Sequence, residues 1–229
     1  MPITTPREVR YDERRWNLLK RLRKRAVGIM AGVNRFGLST ILHGSVARGD
    51  VEEKSDIDIF VPYQVPSFKV EHALLGLGFE PLTREVVQAT PHSVVKGYIA
   101  LDEQTTVSFP ITEMTTRERG FYRFGGEVTE SDLRRNIRVP GVSKDLMLIE
   151  PTPSGHRETP VVRNESSVAK TLAVGVDVVK ERVRVLTRRR QVGRTGVFVK
   201  YDVPPDETFE QVVRDLERSH RLLLWRRKK

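Results

Sequence analysis

Two carboxylates two residues apart, Asp56 and Asp58, open an apolar run that continues to Val61. On a strand, residues with this spacing point to the same face, where two like charges repel unless a cation sits between them. A divalent ion such as Mg²⁺ takes oxygen ligands and commonly binds through one or two carboxylates together with substrate phosphates. Upstream, Gly44-Ser45 follows the short run Ser39–His43, which reads as a strand. A glycine directly after a strand lets the backbone turn tightly and come close to a ligand. If a helix starts there, its free N–H groups and positive end favour bound phosphate. Ser45 adds a hydroxyl donor, and Arg48 adds a permanent positive charge one turn later. Together these features describe a cradle for a di- or triphosphate beside a metal, and phosphoryl-group transfer as the chemistry.

The full segment is His43-Gly44-Ser45-Val46-Ala47-Arg48-Gly49-Asp50, a polar spacer, then Ser55-Asp56-Ile57-Asp58-Ile59-Phe60-Val61. It resembles the signature of the DNA polymerase beta-like nucleotidyltransferase superfamily, in the form nearest to its small prokaryotic and archaeal members. The likeness covers about residues 38–62. It implies an α+β fold, with a nucleotidyltransferase-type mixed sheet packed on helices. It implies Asp56 and Asp58 as catalytic Mg²⁺ (or Mn²⁺) ligands and an NTP, ATP among them, as substrate. Gly44 and Ser45 are implied as nucleotide-phosphate contacts, and Arg48 and Ser55 join them as nucleotide-binding candidates.

A second stretch, Pro91–Gly97 followed by Thr106–Pro110, resembles the corresponding hairpin of archaeal tRNA CCA-adding enzymes. In that family a third carboxylate stands mid-strand before a proline and acts as base for the incoming hydroxyl. Here Ser108 (or Thr106) holds that place, while Asp102, Glu103 and Glu113 lie nearby but not mid-strand. A hydroxyl does not match a carboxylate as base. The departure bears on turnover more than on a metal–nucleotide site.

These residues need elements to hold them. Residues 11–36 carry Trp16, Leu19, Leu22, Ala26, Ile29 and Val33 at helical spacing, with basic residues on the other faces. After the strand ending at His43 comes a short helical segment at 46–49, a polar loop over 50–55, and a strand over 56–61. Residues 67–77 predict a short helix. Val94–Leu101 and Thr105–Ile111 predict a hairpin, and Thr129 caps a helix over 130–136 with Asp132 at its third position. Beyond Pro140, Leu146–Ile149 predicts a strand and 150–160 a loop containing His156 and Arg157. Asn164 is expected to cap one long helix over 165–190, Thr195–Val203 to form a strand, and Asp206 to cap a helix over 207–218. The reading divides the chain into a nucleotidyltransferase-like domain, 1–139, and a C-terminal α/β extension, 140–229, as a region for substrate recognition.

Composition narrows the function classes. The chain has 229 residues, no cysteine and a net charge of +10. Disulfides, thiolate catalysis and cysteine zinc sites are excluded, and the five histidines show no zinc spacing. No stretch approaches the roughly 18 apolar residues of a membrane span, and the first residues lack the apolar core of a signal peptide. A cytoplasmic protein is expected. Scarce amides and abundant Arg and Glu fit a thermophilic source. The positive surplus favours a polyanionic partner, so an RNA acceptor of tRNA-like type is expected. Arg182, Arg184, Arg188, Arg189, Arg190 and Arg194 either complement a helix's negative end or present a phosphate-binding face. Two other readings compete with an RNA-directed enzyme. One is a catalytically degenerate module that grips nucleotide or RNA; the other is a nucleotidyltransferase that modifies a protein, as antitoxin-like members of the superfamily do. The oligomeric state is not encoded in any of these signals.

Overall fold

The computed structural model describes residues 6–193 and 196–222. In chain order the elements are β1 (Arg7–Arg10), α1 (Glu13–Arg35), β2 (Ile41–His43), α2 (Ser45–Arg48), β3 (Ile57–Phe60), α3 (Ser67–Gly76) and β4 (Thr83–Gln88). There follow β5 (Val95–Ala100), β6 (Thr105–Pro110), α4 (Thr116–Gly125), β7 (Glu127–Thr129), α5 (Glu130–Arg134) and β8 (Gly141–Val142). The last are β9 (Met147–Thr152), β10 (Gly155–Pro160), α6 (Glu165–Leu172), α7 (Val176–Val192), β11 (Val199–Asp202) and α8 (Phe209–Arg218). No helix among the described residues is long and apolar enough to cross a membrane.

The strands form a seven-stranded sheet, in the order β11-β4-β5-β6-β3-β2-β7, and a four-stranded sheet, β1-β10-β9-β8. In the larger sheet only β3 and β6 run parallel; the other neighbours are antiparallel. This is the mixed α+β architecture that the sequence predicts. β1, β11 and α8 each lie across the 139/140 division from the sheet they join.

Helix α1 forms where its apolar stripe requires it. Asp12 caps it by accepting a hydrogen bond from the Arg15 N–H at 2.8 Å. Leu19, Leu22, Ala26, Ile29, Met30 and Val33 are buried against the large sheet, where they meet Ile57 and Ile59 of β3 and Val107 and Phe109 of β6. Gly32 permits the close approach of α3, since a Cβ there would stand 2.5 Å from Leu77. A second core joins Phe124 of α4 to Val142, Leu148, Val168, Leu172 and Val179.

Several expectations are corrected. Residues 150–160 are not a loop: β9 and β10 pair as a hairpin, with His156 opposite Pro151. The alternation of buried and exposed residues there is carried by Gly155 and His156, which a turn-rich composition disguises. The long helix over 165–190 is two helices, because Ala173 takes a left-handed conformation (φ 50°) and Gly175 begins α7. Asn164 stands at the start of α6 without a side-chain capping bond. Thr208, not Asp206, caps α8, in a reciprocal capping box with Gln211. The strands β1, β4 and β7 and the helix α4 had no counterpart in the sequence reading. Arg194 and the run beyond Leu222, including the basic tail, lie outside the described residues.

Candidate active site

Gly44 leaves β2 with φ 87° and ψ −151°, a conformation L side chains rarely adopt, and its N–H donates to the Gly126 carbonyl at 3.0 Å. The single turn of α2 follows at once. Its carbonyls at Val46 and Ala47 would lack helical partners, and Arg23 of α1 supplies them, donating at 3.0 and 2.7 Å. The same guanidinium donates to the Ile137 carbonyl at 2.9 Å. Burial first, and Arg138 second, push Arg23 down to about 10. Nothing in the local sequence separates Arg23 from the exposed basic residues around it; its position within the apolar stripe is the one available signal.

The spacer loop folds back onto the turn. Ser45 Oγ donates to Ser55 Oγ at 3.1 Å, and Ser55 Oγ accepts from the Glu52 N–H at 2.9 Å. Two of the residues expected to contact nucleotide therefore touch each other. Arg48 behaves otherwise. It is buried, forks onto both oxygens of Asp50 at 2.9 and 2.8 Å, and donates to the carbonyls of Gly125 (2.6 Å) and Val142 (3.4 Å). Its charge and donors are engaged in the fold, which corrects the expectation that it faces a phosphate. It ties the Gly-Ser turn to β8 of the second sheet instead.

Asp58 sits on β3 between His43 of β2 and Thr106 of β6, and Asp56 lies exposed just before the strand. Both carboxyl groups are pushed above the ordinary range, chiefly by burial. The charge of Asp58 raises Asp56 further, and Lys144 opposes the shift at both. Next on this face comes Ser108, opposite Phe60 on one side and Tyr98 on the other. Ser108 is buried, with a long bond of 3.5 Å to the Ile59 carbonyl. Tyr98 is pushed up to about 12 by burial and then by Asp58 and Glu85.

No carboxylate takes the third position: among the described residues no group of three or more His, Asp or Glu side chains stands together as a metal site. Asp102 pairs with Arg25 on the α1 side of the sheet, and with Glu103 it lines a groove of about 910 Å³ there, away from the Asp58 face. The chemistry of the donors still fits one hard cation. Two oxygen ligands whose charges are disfavoured by burial and by each other are what a divalent ion bridging to phosphates would relieve.

An aromatic wall closes one side of the site. Tyr122 of α4 stacks on Phe60 with centroids 3.9 Å apart and planes at 7°. Lys96 donates to its hydroxyl at 2.8 Å and is lowered to about 8, first by burial. The His43 ring meets Tyr122 edge-on at 4.8 Å. Burial, then Lys96 and Arg48, push His43 down to about 3, so it is neutral at physiological pH and serves packing. The wall was not legible in the sequence, because α4 was not.

With this geometry in place, the comparison with known families is informative. Residues 23–112, from the middle of α1 past the end of β6, match the model of the nucleotidyltransferase domain. This segment is a nucleotidyltransferase domain. It spans the Gly-Ser turn, the Asp-x-Asp strand and the β5–β6 hairpin, so the family assignment and the face bearing Asp58 coincide. No curated protein and no solved structure matches the chain. The nucleotidyltransferase domain lends the chain its class, a transferase of nucleoside monophosphates. The aromatic wall and the second sheet lie beyond the matched span.

Proposed function

We propose that the chain is a Mg²⁺-dependent nucleotidyltransferase that moves a nucleoside monophosphate from an NTP to a hydroxyl of RNA. The observation that carries this reading is the strained carboxylate pair, Asp56 and Asp58, on the strand beside the Gly44-Ser45 turn of a nucleotidyltransferase domain. In the transfer, an acceptor oxygen forms a bond to the α-phosphorus, the bond to the β-phosphate bridge oxygen breaks, and pyrophosphate leaves. A bound Mg²⁺ would supply charge neutralisation at the phosphates. Asp56 and Asp58 would hold it, and Ser45, fixed by Ser55, would orient the phosphates. With Ser108 in place of a base, the acceptor proton passes to solvent, which makes for slow turnover. RNA is favoured as acceptor by the net charge of +10 and by the exposed arginines of α7, Arg184, Arg188, Arg189 and Arg190.

Incubation of the full chain with labelled NTP, Mg²⁺ and bulk RNA is expected to label the RNA, and chelation of the metal to stop it. Ser108 favours a second reading, a module that binds Mg²⁺-NTP without turnover. Binding with no labelling of any acceptor would establish that reading; labelled protein in place of RNA would establish a protein-modifying enzyme. No NTP binding at all would refute all three.

A further inference from the structure

The residue best placed by sequence to meet phosphate, Arg48, is committed to Asp50 and to two carbonyls, one of them Val142 O. A nucleoside triphosphate carries more negative charge than one divalent ion neutralises, so the site needs a further cation. The bond to Val142 shows where one comes from. Val142 ends β8, and the turn that follows carries Lys144. This turn is fixed from several directions. Ser143 N–H donates to the Met147 carbonyl at 2.9 Å, Leu146 N–H to the Ser143 carbonyl at 3.1 Å, and Ser143 Oγ accepts from the Asp145 N–H at 3.2 Å. Leu146, in a left-handed conformation with φ 53°, is buried in the second core. From α7, Arg190 donates to Asp145 at 3.0 Å and to the Lys144 carbonyl at 3.5 Å.

So anchored, the turn leaves the Lys144 side chain exposed and without an ion pair among the described residues, while its charge acts on both Asp56 and Asp58. The other cations nearby are taken up: Lys96 lies against Tyr122, and Arg182 covers the ring of Phe121 at 4.6 Å.

We infer that Lys144, delivered from the second sheet by a turn that Arg48 tethers to the catalytic turn, is the side chain that contacts the triphosphate of the bound nucleotide. This inference rests on the nucleotidyltransferase reading of the same site. In the absence of nucleotide, Lys144 is a positive neighbour of the metal-binding carboxylates. With nucleotide present it becomes a ligand of the phosphates. Its removal therefore acts with opposite sign on the two ligands, which a merely structural role would not produce.

The test uses the full chain, with Mn²⁺ alone followed by electron paramagnetic resonance of the free ion, and inorganic tripolyphosphate with Mg²⁺ followed by titration calorimetry. Lys144→Ala is expected to weaken tripolyphosphate binding about tenfold and to tighten Mn²⁺ binding about threefold. Lys144→Arg should keep both near the native values. Lys170→Ala on exposed α6, which removes the same charge at a distance, should move neither. If Lys144→Ala leaves both affinities unchanged or moves them in one direction, while binding in the native chain still depends on Asp56 and Asp58, the inference fails and the proposed function stands. If the native chain binds neither Mn²⁺ nor tripolyphosphate nor any NTP, both fall.

Discussion

The two faces of β3 are made by alternate residues of one strand and have opposite physics. Ile57 and Ile59 point into the core beneath α1 and are fully buried among apolar neighbours. Asp58, one step along, points to the face shared with Thr106, Ser108 and Tyr98, where burial raises its carboxyl and no cation of the fold forms an ion pair with it. The first face stabilises the strand, and the second tolerates an unfavourable charge because the first holds it in place. The comparison teaches that stability and function are divided by side-chain parity, so substitutions on β3 should separate them.

The largest separation is expected at the carboxylates. Asp58→Asn should lower nucleotidyl transfer by roughly a thousandfold, the scale of losing a preorganised electrostatic contact to the transition state. Thermal unfolding of the same variant should show the fold intact; a collapse in stability would mean that the Asp58 face supports the structure after all. Arg48→Ala should instead reduce stability by about 3–5 kcal/mol, since it leaves Asp50 buried without its partner, and denaturant unfolding measures this. A loss well below that range would show that water reaches Asp50. Ile59→Ala, on the apolar face, should cost about 2–5 kcal/mol, with nucleotide affinity of the folded fraction preserved; altered affinity in equilibrium titration would blur the parity rule.

A smaller effect concerns pH. Because folding raises Asp58 above its ordinary 3.8, the fold gains relative stability when this group is protonated. That gain is complete below 3.8 and is lost as pH rises through the higher, folded value. Asp58→Asn should thus melt above the native chain at neutral pH, and the gap should close in scans taken below pH 3.8. A gap that widens on acidification would reverse the sign of the argument.

What the sequence disclosed followed from short-range pattern. The stripe of α1, the turn at Gly44 and the alternation through Asp56–Val61 each show within a dozen residues, and they placed the site. Features that depend on distant partners did not show. Arg48 meets Val142 and Gly125 only after the second sheet folds, so its local context read as a phosphate contact. Helix α4 carries Gly120 and Gly125 within a charged stretch, and its apolar side becomes meaningful once Tyr122 finds Phe60. The break at Ala173 is masked because apolar spacing continues through it. His156 looked like a loop residue, but its ring nitrogen meets the Tyr11 hydroxyl at 2.6 Å, at the joint between β1 and α1.

The placement of α8 also matters for how the chain is made. Ser67, at the first turn of α3, gives its N–H and hydroxyl to Glu210 at 2.7 Å each, and Phe109 of β6 packs edge-on against Phe209. β4 likewise waits for β11 to cover its outer edge. A ribosome finishes the Gly-Ser turn and the Asp-x-Asp strand long before residues 199–216 emerge. The nascent nucleotidyltransferase domain is therefore left with an uncapped helix, a bare strand edge and an open apolar seam during most of translation. Chaperone demand and aggregation risk should peak in that interval, and a stop codon placed ahead of β11 should yield insoluble protein even though every candidate catalytic residue has been synthesised.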